Sequence, residues 1–403
     1  MEHFTGSFTQ QTPIPEAGEA AACAVLRSGR LHRYNLGPDE VGEVGALETE
    51  FAAYVDARYC LAVASGGQAM QIALRAIGVV PGDAVLTNAF TLAPVPGAIA
   101  GVGARAVLVE TAADLTIDLD DLAEKLPQAR VLLLSHMRGH ICDMDRLMAL
   151  CDAADVTVIE DCAHTMGARW NGVASGRFGR IGCYSTQTYK HMNSGEGGLI
   201  VSDDADAMAR ATILSGSYML HQRHPAGPPA EAYAQAMWDT PNMSARMDHL
   251  RAAVLRPQLA CLDESCAAWT ARYRIVETGL RNVPGLTLIE RPEPEAFVGS
   301  SIQFLLPGQM PDTVAAFVGR CATRGVDLKW FGADRPVAFT SRYDHWRYAA
   351  APRLAQTDAM LAMLLDMRLP LTFSAQDCAL IARILRDEAL RLRMPDVKTP
   401  AAE

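Results

Sequence analysis

No two of the ten cysteines in this 403-residue chain are spaced as CxxC, and no excess of basic residues balances its acids. The thiols are scattered from Cys23 to Cys378, several inside apolar runs such as 181–185 (IGCYS), where a thiol behaves as a small hydrophobe. That pattern speaks against a disulfide scaffold and suits a reducing, cytoplasmic setting. The formal net charge of −10 argues against a surface for duplex nucleic acid or anionic membrane, since both need a basic face. The opening residues, MEHFTGSFTQQTP, hold no basic stretch followed by an apolar one, so no signal peptide is expected. The longest apolar stretch, 84–101, is broken by Asn88, Thr91, Pro94 and Pro96, too polar to span a bilayer. Internal repeats and low-complexity segments are also missing.

What is present is an alternation. Between residues 60 and 202, β-rich runs at 60–65, 84–86, 106–110, 131–135, 156–160, 181–185 and 198–202 are separated by helical patterns such as 68–77, 119–126 and 144–154. Runs apolar on both faces and separated by helices predict an α/β fold, a three-layer, mostly parallel sheet covered on both sides. Helices at 15–27 and 44–55 precede this core. Beyond 203 the pattern changes. Residues 246–280 read as one long helix apart from Pro257, followed by strands at 286–289 and 301–305 and helices at 312–324 and 376–392. The spacing of Met360–Met367 reads as core-facing helix, like that of Met144–Met148. The expected organisation is a large domain over 1–250, a smaller α+β domain over 251–393 and a frayed tail over 394–403.

In an open parallel sheet, ligands bind beyond the carboxyl ends of the strands, and three segments there carry chemistry. Ser65-Gly66-Gly67-Gln68 ends a strand and opens a helix, whose free N–H groups and dipole suit a phosphate; taken alone it reads first as a common strand-to-helix turn. Asp161 follows a strand and reads either as a carboxylate in the crevice or as a helix N-cap. The run from Ser185 to Lys190, leading into Gly195-Glu196-Gly197-Gly198, ends in a lysine. If turned inward, that amine loses water and its pKa falls, as a Schiff-base lysine requires; otherwise it is a surface lysine before a glycine turn. Together the three supply what pyridoxal phosphate needs: a phosphate anchor, a partner for the pyridine nitrogen and an amine.

At this point the sequence resembles the DegT/StrS family of aminotransferases, which act on keto-sugars and keto-cyclitols within fold type I of the pyridoxal-phosphate transferases. The resemblance runs from about residue 10 to 390. It rests on Ser65-Gly66, Pro81-Gly82-Asp83, Phe90-Thr91, Ile159-Glu160-Asp161, Ser185 with Lys190, Gly195-Glu196-Gly197-Gly198, Arg246-Met247, Ala252-Ala253, Gln258-Leu259 and Leu369-Pro370. The wording EDCAHTMGA…YKHMNSGEGG is nearest to the cyclitol and aminohydroxybenzoate branch. The resemblance implies an enzyme moving an amino group from an amino-acid donor, glutamate or glutamine, to a keto-sugar, keto-cyclitol or related ketone through a Schiff base on Lys190. It implies that Asp161 holds the pyridine nitrogen, that Ser65, Gly66, Gly67, Gln68 and Ser185 hold the phosphate, and that His164 lies near the ring. A homodimer with shared active sites is implied too, a partner chain completing each phosphate site through Asn242 or Ser244. Relatives with histidine in place of the lysine are dehydratases. His191 raises that question, but Lys190 keeps the family's spacing to GEGG, so transamination is preferred over a lyase or a non-catalytic cofactor-binding relative.

Several positions depart from the family pattern. Gly67 stands for a threonine, Leu92 for an aromatic ring that stacks on the cofactor, Ser244 for an asparagine and Arg138 for an aromatic residue. The stretch Lys329-Trp330-Phe331-Gly332 replaces a His-Tyr-Pro type segment, which makes Arg138 and Trp330 the candidate substrate residues. Arg138 either binds an acidic group of acceptor or donor or pairs with an acid of its own chain. His136, His140 and Cys142 follow a strand, are interrupted by Gly139 and lack an HExxH glutamate, so no metal site is expected.

Overall fold

Strands apolar on both faces need cover on both sides, and the computed structural model, which describes residues 2–349 and 351–392, shows how they get it. Strands β1 (Tyr59–Val63), β2 (Ala84–Asn88), β3 (Arg105–Val109), β4 (Val131–Ser135), β5 (Thr157–Asp161), β6 (Ile181–Ser185) and β7 (Gly198–Ser202) form one sheet. Their order is β1-β7-β6-β5-β4-β2-β3. β7 runs antiparallel to both neighbours, and the other pairs are parallel. Side chains alternate between faces along each strand. Leu133 of β4 therefore packs in one core, with Ile72, Ile99 and Met208 from the helices Gly66–Ala76, Pro94–Gly101 and Ala205–Ser215. Leu132 and Leu134 pack in the opposite core, with Leu122 and Leu147 from Leu119–Lys125 and Met144–Ala153. The three-layer expectation is met.

A second sheet is antiparallel. It contains β8 (Thr287–Leu288), β9 (Ser301–Leu305), β10 (Lys329–Trp330) and β11 (Leu364–Arg368), in the order β8-β9-β11-β10. Its core joins Phe304, Leu365 and Met367 to Phe317 and Ile381 of the covering helices. Phe4 and Phe8 pack edge-on against Phe373 in the same core.

Two sequence expectations fail here. The Met360–Met367 stretch is not one helix: the helix Ala355–Met363 stops and β11 begins. Leu365 and Met367 share the second core while Leu364 faces Phe331 and Phe90, the alternation of a strand. A short apolar run is compatible with either period. Nor do residues 246–280 form a single helix interrupted at Pro257. Pro257 is carried inside His249–Ala260, and the chain breaks four residues later at Cys261, before Leu262–Leu280. Proline removes one N–H and crowds the carbonyl four residues back, which weakens a turn without always ending it. The tail at 394–403 lies outside the described residues. Among the described residues no helix is long and apolar enough to cross a membrane, and all ten cysteines are free thiols.

Candidate active site

Parallel pairing puts the last residues of β4, β5 and β6 on one edge, with Ser135 opposite Asp161 and Asp161 opposite Cys183. The reversed β7 starts at that same edge: Gly198 pairs with both Val63 and Ser185. This register brings the two serine-bearing ends together. A Cβ on Gly66 would stand 2.8 Å from Ser185 Cβ, and one on Gly198 would stand 2.5 Å from the Ser65 carbonyl oxygen. Both positions are thus restricted to glycine by close approach. The helix Gly66–Ala76 begins here, capped by Ser65, whose Oγ accepts from the N–H of Gln68 at 3.1 Å. Ser65, Gly66, Gly67 and Ser185 line a cavity of about 380 Å³, with the positive end of that helix pointing into it.

Asp161, Leu92, Arg138, His164 and Lys190 line the same cavity. Asp161 is a strand residue, not an N-cap; its Oδ1 accepts from the N–H of Ala163 at 3.1 Å and its Oδ2 from Ser135 Oγ at 3.2 Å. Ser135 in turn accepts from Thr91 Oγ1 at 2.8 Å. Burial pushes the Asp161 carboxyl above its usual range even with the Lys190 cation nearby. Lys190 is half-buried. Loss of water, with Arg138, Arg368 and Lys329 adding to it against the pull of Asp161, brings its pKa down to about 7. Its Nζ lies 2.9 Å from His164 Nε2. Burial and the neighbouring cations hold His164 well below the usual histidine range, so the imidazole is neutral. The N–H of Arg138 points at His164 Nδ1 at 3.4 Å; this pattern assigns the ring proton to Nε2, donating to the Lys190 amine.

Not every expected residue arrives. Gln68 contributes its N–H to the cap rather than a cavity wall. Asn242 and Ser244, expected to act at a partner chain's site, are exposed and do not line this chain's cavity; Asn242 Oδ1 accepts from the Ser244 N–H at 2.9 Å and Ser244 Oγ from Arg246 at 2.7 Å. Trp330 lines an adjoining cavity of about 390 Å³ and donates its indole N–H to the Ala362 carbonyl at 2.8 Å. Leu92 lines the cavity with Pro94 and Val95 beside it, and the aromatic lining comes from His164, Tyr189 and Phe339. His191 is used elsewhere, its Nδ1 on the Met166 carbonyl at 2.7 Å and its Nε2 on Ser300 Oγ at 2.9 Å. His136 and His140 face Glu160 and Gln303 at 3.0 and 2.8 Å. Glu160 has both oxygens occupied by His136 and the N–H groups of Gly176, Phe178 and Gly179, which ties that loop to the sheet.

Of the second sheet, sequence reading named Trp330 and missed Asp366 and Arg368. Arg368 lines the cavity, with its guanidinium 3.8 Å from the centroid of the Tyr189 ring. Asp366, two residues earlier on β11, ion-pairs with Arg138 at 3.1 Å and with Lys329 at 3.6 Å. The signal was the period-two spacing of Asp366 and Arg368, hidden by the helical reading of that stretch.

The residues present fit pyridoxal phosphate. Two serines and two glycines line the cavity at a helix start, where free N–H groups suit a phosphate, and a carboxylate with few partners and an amine of low pKa face the same cavity.

Comparison with known proteins agrees. The model of the DegT/DnrJ/EryC1/StrS aminotransferase family matches residues 16–386. The 3-amino-5-hydroxybenzoate synthase of Amycolatopsis mediterranei (strain S699) is 31% identical over 337 residues, covering 81% of this chain and 83% of that protein. The dTDP-3-amino-3,4,6-trideoxy-alpha-D-glucose transaminase of Streptomyces venezuelae is 34% identical over 277 residues, 67% of each chain. Among solved structures, 3-amino-5-hydroxybenzoic acid synthase superposes with a TM-score of 0.80 at 25% identity, covering 95% of this chain and 100% of the other. S. venezuelae DesV, in complex with a ketimine intermediate, gives 0.78 at 26% identity, with 96% and 100% covered.

Proposed function

The chain belongs to the DegT/DnrJ/EryC1/StrS aminotransferase family, and we propose that it holds pyridoxal phosphate between Lys190 and Asp161. The amino group then comes from glutamate or glutamine and goes to a keto-sugar, keto-cyclitol or related ketone. The observation that carries this reading is the meeting of Lys190, Asp161 and the Ser65–Ser185 cradle on one cavity. Pyridoxal phosphate supplies, when bound, a reactive carbonyl and an electron-withdrawing ring.

The chain's own groups do the rest. With a pKa of about 7, much of the Lys190 amine is uncharged at neutral pH and available as nucleophile, and its Nζ can later take up a proton and return it. His164 Nε2 steadies that amine at 2.9 Å. Asp161, braced by Ser135 and Thr91, is placed to keep a ring nitrogen protonated. Ser65, Ser185 and the N–H groups at the start of Gly66–Ala76 hold a phosphate and so fix the other end. Ala163 and Leu92 supply apolar wall that keeps water from the reacting atoms.

The assembly proposed is a homodimer in which Asn242 or Ser244 reaches the partner's phosphate site. Its support is that both residues are exposed and that Tyr218, Met219 and Trp238 nearby in sequence are exposed apolar side chains, Trp238 at 80%. Free thiols throughout accord with a cytoplasmic location. The test is spectral. Adding L-glutamate or L-glutamine to the cofactor-loaded protein is expected to convert it to the pyridoxamine form, and Lys190→Ala to abolish the conversion. Release of ammonia or water without that conversion would assign a lyase instead, and no response to any amine a binding protein.

A further inference from the structure

Arg138, Arg368 and Lys329 gather around Asp366, the carboxylate that ion-pairs with the first and third of them. Arg138 is 5% exposed, and its Nε and one terminal nitrogen make no hydrogen bond among the described residues. The ion pair to Asp366 at 3.1 Å is therefore a charge contact without good hydrogen-bond alignment, and Asp366 Oδ2 is itself left without a hydrogen bond. Asp366 Oδ1 accepts from Gln303 Nε2 at 2.7 Å. Three cations thus face two carboxylates at the rim of the cavity that holds Lys190: Asp366, and Asp327 beside Lys329 and Arg368. Cations removed from water without anions to match are costly, and unsatisfied guanidinium N–H groups add to that cost. A carboxylate entering the cavity would accept those N–H groups and offset the excess charge. Arg368, Tyr189 and Phe339 wall both this cavity and the adjoining one, whose further lining joins apolar Leu328, Trp330 and Val337 to Lys329 and Asp327.

We propose that Arg138, Arg368 and Lys329 form a carboxylate subsite beside Lys190, and that the ketone acceptor is accordingly a carboxylic acid with an apolar body, not a neutral keto-sugar. The proposal rests on the transaminase reading above and narrows its acceptor. Donor and acceptor visit the site in turn, and the pyridoxamine form meets the acceptor and also the keto acid that the donor leaves, so 2-oxoglutarate is titrated beside the probes below. Its binding is expected to survive the variants, and its loss in step with benzoate would assign the cations to the donor and overturn the proposal.

Titration calorimetry with benzoate and its uncharged counterpart benzamide tests the idea on both forms. Benzoate is expected to bind the pyridoxamine form tighter than benzamide by about tenfold or more. Arg368→Gln, and separately Arg138→Gln combined with Asp366→Asn, are expected to erase that preference. The paired change removes one charge of each sign, so no buried acid is left unpaired. Equal binding of benzoate and benzamide, a preference confined to the pyridoxal form, or a preference unchanged in both variants would overturn the proposal. Absorbance of the bound cofactor, recorded in the same samples, separates this failure from that of the transaminase reading: a protein that never captures the cofactor sinks both, whereas one that captures it and ignores the benzoate charge sinks the subsite alone.

Discussion

A lysine amine with its pKa brought down to about 7 ties local structure to chemistry here. The rate at which the cofactor-free protein captures pyridoxal phosphate is expected to rise with pH through about 7 and level off well below the range of a free lysine. A midpoint near 10 would contradict the desolvation that the cavity imposes. The same shift has a stability consequence. Between about 7 and the ordinary 10.5 the unfolded lysine binds more proton than the folded one, so this group makes the cofactor-free protein more stable as pH rises across that window. Comparing denaturant midpoints of the native chain and Lys190→Met over that window isolates the effect, and the native chain should show the steeper rise. Ser135 is the next residue to test. Ser135→Ala takes one hydrogen bond from a buried carboxylate and is expected to weaken cofactor binding by about tenfold, read by equilibrium dialysis. Of these groups, Lys190 and Asp161 were legible in the sequence because an amine and an acid at strand ends have few other uses in combination. Ser135 was not: a serine ending an apolar strand carries no sign of what lies across from it.

At the scale of elements, the site depends on register more than on any motif. β7, running backward between β1 and β6, brings Ser65 and Ser185 to one point and makes Gly66 and Gly198 obligatory by contact. Gly66→Ala puts a methyl 2.8 Å from Ser185 Cβ. It is expected to lower affinity for the cofactor and for inorganic phosphate about tenfold or more while the far-ultraviolet dichroism stays unchanged. The central strands were readable because their apolar runs are long and bounded by turns; 131–135, 181–185 and 198–202 fall on observed strands end to end. β11 was not, since five apolar-rich residues behind a helix fit either period, and with β11 went Asp366 and Arg368. Likewise Pro257 drew attention as a breaker, whereas the chain turns at Cys261, where no residue type announces it. The place of Arg368 on the cavity wall becomes visible only once the long-range pairing of β11 is known, whereas Trp330 of the same sheet was singled out from the sequence.

For the whole molecule, the proposed homodimer would build each site from two chains. Mixing Lys190→Ala with an Asn242→Ala/Ser244→Ala double variant should restore activity that neither has alone, because the hybrid dimer retains one site with every native group; failure to complement would leave Asn242 and Ser244 as surface residues. Attachment of the cofactor to one amine facing one acid underlies the proposed chemistry. Its most direct test is borohydride reduction of the pyridoxal-phosphate-loaded protein followed by peptide mapping. A single labelled peptide carrying the cofactor on Lys190 is expected, and no label in Lys190→Ala. Label on another lysine, or label that persists in Lys190→Ala to the same extent, would contradict it.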